Sequence, residues 1–187
     1  MLTEGENTLE IDNKWPEIAI FQTKKYRNAR VEAHNALFWM ARASHSFLDP
    51  TLGNSHLSLF WNEEHCDFRT RLLVDGCQIG LHLPDLELYF CDHGEKVPHS
   101  FWLDDRTPAF VEAWYLVELL HRGIEQEKFS TALPFESPDM LMGDTEDHNA
   151  SLFKTELTAM NECLIGAINI LKIVADQLAR HKDFANN

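Results

Sequence analysis

The chain has 187 residues, 44% of them hydrophobic and 25% charged, with twelve Phe and five Trp. That composition excludes a disordered or fibrous chain and supports a core without disulfide or metal staples. Thirty acidic against sixteen basic residues give a net charge of −14, which repels phosphate backbones and anionic lipid. Nucleic acid and membrane are therefore not expected as partners, while a basic protein partner could be steered by the acidic surface.

Cys66, Cys77, Cys91 and Cys163 form no C-x-x-C pair, and residues 1–13 lack the basic start and apolar stretch of a secretion signal. The expected location is a reducing cytoplasm. On this reading no apolar run approaches the roughly 20 residues of a membrane span.

One domain is expected over 1–187, with 1–14 a flexible N-terminus. Trp15-Pro16 ahead of Ile18, Ile20 and Phe21 reads as a segment pinned to the core. From Lys25 to Leu48 the spacing is helical: Ala33, Leu37, Met40 and Phe47 share one side, and Val31, Phe38, Ala41 and Leu48 broaden it. Asp49-Pro50 and Gly53-Asn54 stop that helix.

Between His56 and Leu103 the period changes to two. Phe68, Thr70, Leu72 and Val74 alternate with Arg69, Arg71 and Leu73, and Ile79, Leu81 and Leu83 alternate with Gln78, Gly80 and His82. The pattern predicts strands over Leu57–Trp61, Phe68–Val74, Gln78–Leu83, Leu86–Cys91 and Val97–Leu103. Asp75-Gly76 and His93-Gly94 supply the positive φ that tight hairpin turns require, and a meander is the simplest topology.

Thr107-Pro108 opens a second helix through Phe110, Trp114, Val117 and Leu120, closed by Gly123. After a loop over Leu133–Asp147, a helix over about 149–181 carries Leu157, Met160, Leu164, Ala167, Leu171, Val174 and Leu178 at alternating steps of three and four, a heptad seam. Asp147 or Asn149 is its expected cap, and Ile165, Ile168 and Ile173 widen its apolar face. The fold class is α+β: an antiparallel sheet of about five strands flanked by helices, with a long C-terminal amphipathic helix.

Arg106-Thr107-Pro108-Ala109-Phe110, leading through Leu116, Leu119 and Leu120 to Gly123-Ile124 and preceded by Gln78-Ile79, Asp85 and Leu88, resembles a bacterial family of uncharacterised proteins. The likeness includes the early Trp-Pro and a Pro-Phe loop, here Leu133-Pro134-Phe135, and runs from Trp15 to about His148. Its motifs are caps, turns and core positions. It implies a fold and no activity, and the last helix lies outside it.

Chemistry is signalled weakly. Cys91 and His93, at i and i+2, would share a sheet face and with His99 could ligate zinc, although no cofactor is required by any motif. His34 and His45 share a face of the first helix and could line a cleft. The local signatures of hydrolases, metalloproteases and nucleotide binders are absent.

The expected function is a non-catalytic interaction module that self-associates as a homodimer through its last helix, with Leu157, Met160, Leu164, Ala167, Leu171, Val174 and Leu178 as the interface. The alternative is a ligand-binding protein or metal-dependent enzyme with a His/Cys/Asp cleft between the sheet and the first helix. The sequence leaves open whether it is an enzyme.

Overall fold

The computed structural model describes residues 15–185, and side chains as far as residue 180. The stretch 1–14, expected to be flexible, lies outside the described residues. The rest is an α+β structure in which helices α1 (Lys24–Phe47), α2 (Pro108–His121) and α3 (Lys154–Ala185) accompany one curled antiparallel sheet.

The strands are β1 (Phe60–Asn62), β2 (Asp67–Arg69), β3 (Cys77–His82), β4 (Glu87–Asp92), β5 (Glu95–Lys96) and β6 (Phe101–Trp102). They follow the expected meander, β1-β2-β3-β4-β5, and β6 also pairs with β4. The expected fifth strand, Val97–Leu103, is thus cut back to β6, and β5 lies just before its expected start. Between them Pro98 has no amide to donate to a ladder, and His99 adopts a left-handed backbone with φ 74°. At Asp75-Gly76 both φ values are positive, 50° and 78°, and the Cys77 amide donates to the Val74 carbonyl at 2.9 Å, closing the hairpin as predicted.

One face of the sheet carries Cys77, Ile79, Leu81, Leu88 and Phe90, all buried in the hydrophobic core. Against it lie Ala29, Ala33, Ala36, Met40 and Ala43 of α1, a stripe with steps of four and three. The expected stripe had Ala33 and Met40 but not the other alanines, whose small side chains let the helix approach closely. Trp39 stacks on Tyr115 of α2 at 5.9 Å, and Tyr115 stacks on Phe129 at 4.9 Å. The space between the sheet and the first helix is therefore filled.

Helix α2 ends as predicted: Gly123 has φ 68° and the Ile124 amide donates to the Leu119 carbonyl at 3.0 Å. Its buried line is Val111, Tyr115, Glu118 and Leu119, whereas the expected Phe110, Val117 and Leu120 are exposed. The Thr107 hydroxyl donates to Asp144 at 2.7 Å and makes no cap bond. The start of α3 is likewise corrected: neither Asp147 nor Asn149 caps it. The Ser151 amide of the short 3₁₀ turn before α3 donates to Asp104 at 2.8 Å.

The other face of the sheet is polar yet also buried in its middle. Arg69, Gly80 and Tyr89 are lateral neighbours on β2, β3 and β4. A Cβ on Gly80 would lie 2.4 Å from Cζ of Tyr89, so only glycine lets the phenol ring lie across β3. Gly80→Ala should lower unfolding stability in urea by about 1–3 kcal/mol, because the ring must be driven off its seat. Unchanged stability would show that the ring can move at no cost.

Candidate functional site

The buried polar group on this face is built by alternation. Asp67 and Arg69 are i and i+2 on β2, Tyr89 and Cys91 are i and i+2 on β4, and each pair shares the face. Arg69 donates to Asp67 through Nε at 2.7 Å and through Nη2 at 3.2 Å, a bidentate pair. Its Nη1 donates to Cys91 Sγ, and the Tyr89 hydroxyl donates to Asp67 Oδ2. All four residues are buried. Lys96 Nζ sits 4.3 Å over the Tyr89 ring and binds Glu87 at 2.7 Å.

Above this group opens a pocket of about 290 Å³, completed by His65, His82, Asp85, Glu87 and Lys96. The imidazole of His82 is 3.0 Å from Asp85, which also pairs with Lys154 at the start of α3. Burial lowers the basicity of Arg69, but the hydrogen bonds and charge of Asp67 more than reverse this and hold the guanidinium protonated. Burial pushes the Cys91 thiol up to about 11, with Arg69 pulling the other way. Burial, and then Asp67, raise the Tyr89 phenol. Cys91 and Tyr89 are thus neutral donors and acceptors at neutral pH, not nucleophiles.

The structure does not bring Cys91, His93 and His99 together as one ligand set. Strand β4 ends at Asp92, so the same-face rule stops there. His93 turns away with φ 51°, exposed beside Gly76. Among the described residues the one group of three candidate ligands with atoms within 4.8 Å of one another is His99, Glu118 and His121. His34 is exposed against Phe38, whereas His45 reaches His56 at 3.4 Å, so the two share no cleft. His148 is fully buried, with Nδ1 3.2 Å from Glu32.

The expected interface residues divide into two sets. Leu157 is fully buried, and Met160 and Leu164 pack against the core. From Ala167 onward the helix emerges: Leu171 is 66% exposed, Val174 45% and Leu178 59%. The change falls next to Gly166, where the Trp15 ring leaves no room for a side chain. An 18-residue window within Ser151–Arg180 is long and apolar enough to cross a membrane by length and composition, 22% of it buried. This corrects the expectation that no run approaches a span.

No protein-family description, curated protein or solved structure matches the chain, so no residue role comes from a relative.

Removing the carboxylate from this polar group should be far worse than trimming its rim. Asp67→Ala leaves Arg69 buried without a counter-charge and should cost about 3–5 kcal/mol, against about 1 kcal/mol for Tyr89→Phe, read from urea unfolding. The raised Cys91 pKa has a further consequence. The fold favours the neutral thiol, so its contribution is complete below the ordinary thiol value of about 8.5 and is lost as pH rises through about 11. Denaturation midpoints should fall across that window, and less steeply in Cys91→Ala; equal slopes would contradict the coupling.

Proposed function

We propose that the protein is a non-catalytic interaction module whose working form is a homodimer joined through the outer half of α3. One observation carries the reading: a helix of 32 residues is anchored in the core by its first half and continues with an apolar stripe that the described residues leave uncovered. Ala167, Leu171, Val174 and Leu178 keep heptad steps of four, three and four, the spacing that a second helix fills. Asn169, Lys172, Asp176 and Arg180 lie together on the opposite side.

This sidedness favours a helical partner over lipid all round. Charge favours it too. The chain carries −14, but its charged residues between 167 and 180 are two bases and one acid, so the proposed contact escapes the repulsion of the acidic body. The four cysteines are free, which suits a reducing compartment such as the cytoplasm.

A second reading is favoured by the buried Asp67-Arg69-Tyr89-Cys91 group beneath its pocket, which packing alone does not require. Side chains of both signs line it, the chemistry of a site for a small zwitterionic solute. A thermal-shift screen of free amino acids tests this: no rise in melting temperature, or the same rise in Lys96→Ala, rejects it.

Sedimentation velocity on the full chain tests the dimer. Truncation before α3 would remove Leu157 from the core, so the informative variant is Leu171→Glu with Leu178→Glu, at two exposed positions. The wild type should sediment as a dimer. The variant should sediment as a monomer with an unchanged melting temperature, its Kd raised at least about tenfold. A monomeric wild type, a dimeric variant, or flotation of the wild type with lipid vesicles in place of self-association would overturn the proposal.

A further inference from the structure

Three side chains outside the polar pocket and outside α3 converge where the β5–β6 connection meets the end of α2. Glu118 and His121 are one turn apart on α2, and residues at i and i+3 share a helix face. His99 comes from the connection. Its Nδ1 lies 3.7 Å from Glu118 Oε1, and Nδ1 of His121 lies 3.8 Å from the same oxygen. We propose that His99, Glu118 and His121 form a binding site for a divalent transition metal of the zinc class.

The set has the chemistry of such a site. Two imidazoles and one carboxylate suit zinc and its neighbours, whereas magnesium and calcium prefer oxygen alone. A zinc ion with ligand bonds of about 2.0–2.1 Å holds neighbouring ligand atoms about 3.3 Å apart in a tetrahedron. The two separations from Glu118 exceed that by a few tenths of an ångström and all three ligand atoms lie within 4.8 Å of one another, within the reach of a rotation of two exposed imidazoles. Both histidines face solvent, leaving the fourth position to water.

The carboxylate is already aimed. Glu118 is 5% exposed at its side chain, and Arg122 Nη1 donates to Oε2 at 2.7 Å. This leaves Oε1 as the atom both histidines approach. An outer partner that fixes a ligand's orientation is typical of built metal sites. Arg122 is itself seated, with its Cζ 4.3 Å over the Phe90 ring and its Nε 3.8 Å from Asp92. Asp92 offsets part of the guanidinium charge that would otherwise oppose a nearby cation.

The connection is also held in place. The Trp114 indole N–H donates to the His99 carbonyl at 3.1 Å, tying the connection to α2 one turn before Glu118. His99 adopts φ 74°, a left-handed backbone that a non-glycine residue enters at some cost. Such strain concentrates at ligand-holding positions, and here it accompanies the one histidine that α2 does not supply.

The test is calorimetric titration of the untagged full chain with Zn²⁺, followed by Co²⁺ to read coordination from visible absorption. The wild type should bind one Zn²⁺, and His99→Ala and His121→Ala should each weaken binding at least about tenfold. Both positions are exposed, so both variants should fold, as circular dichroism will check. His34→Ala, at an exposed histidine elsewhere, should leave the affinity unchanged. Cobalt should give the strong absorption of four-coordinate geometry in the wild type and in His34→Ala, and lose it in His99→Ala and His121→Ala. Failure to bind zinc, wild-type affinity in both histidine variants, or an equal loss in His34→Ala would overturn the site.

Discussion

A buried arginine that cannot be separated from its carboxylate organises the sheet. Arg69 is held by both oxygens of Asp67, and removing either partner would strand a charge out of water. Tyr89 completes the carboxylate's shell, but its ring reaches Asp67 only by crossing β3, which needs a residue without a side chain at Gly80. A sheet of short strands therefore has two buried faces, one joined by apolar packing on α1 and α2, the other by directional bonds. Apolar packing tolerates small displacements within one register, but the bidentate pair and the phenol bond do not, because each fixes an angle as well as a distance.

The third helix divides between two tasks at Gly166. Before it, Leu157 and Ala159 are core residues, so the start of α3 belongs to the domain's stability. Beyond it, Ile170, Leu171, Val174 and Leu178 are exposed in a stretch that has little to do with that core. An ion pair from Lys172 to Glu63, after β1, still touches the sheet end, yet an exposed pair of this kind contributes little to holding a helix down.

Much of the fold was legible in the sequence because its signals are local. Asp75-Gly76, Pro108, Gly123 and the change of period near His56 depend on neighbouring residues and on backbone sterics alone, and each holds in the structure. The buried polar face was not legible. Alternation assigns Arg69 and Gly80 to the face opposite the core, and the ordinary reading of a charged residue there is solvent exposure. Its burial depends on sheet curl and on the Tyr89–Gly80 contact, both long-range properties. Spacing presents the heptad seam as one continuous surface, because it records which residues share a face and not where the domain ends.

The histidine-rich region shows the same distinction. Glu118 and His121 carry a local signal, i and i+3 on a helix, whereas closeness in sequence groups His99 with Cys91 and His93. Closeness along a hairpin is a poor guide to shared ligation once the chain leaves the strand, since His93 and Gly94 both adopt positive φ and turn the backbone away. Sheet register, by contrast, carries β6 and the residues before it back along β4 towards α2, because Glu87 pairs with Trp102 and Leu88 with Phe101. Convergence at Glu118 therefore follows from the antiparallel return of the chain, a constraint as physical as the turn chemistry but visible only once strand pairing is known.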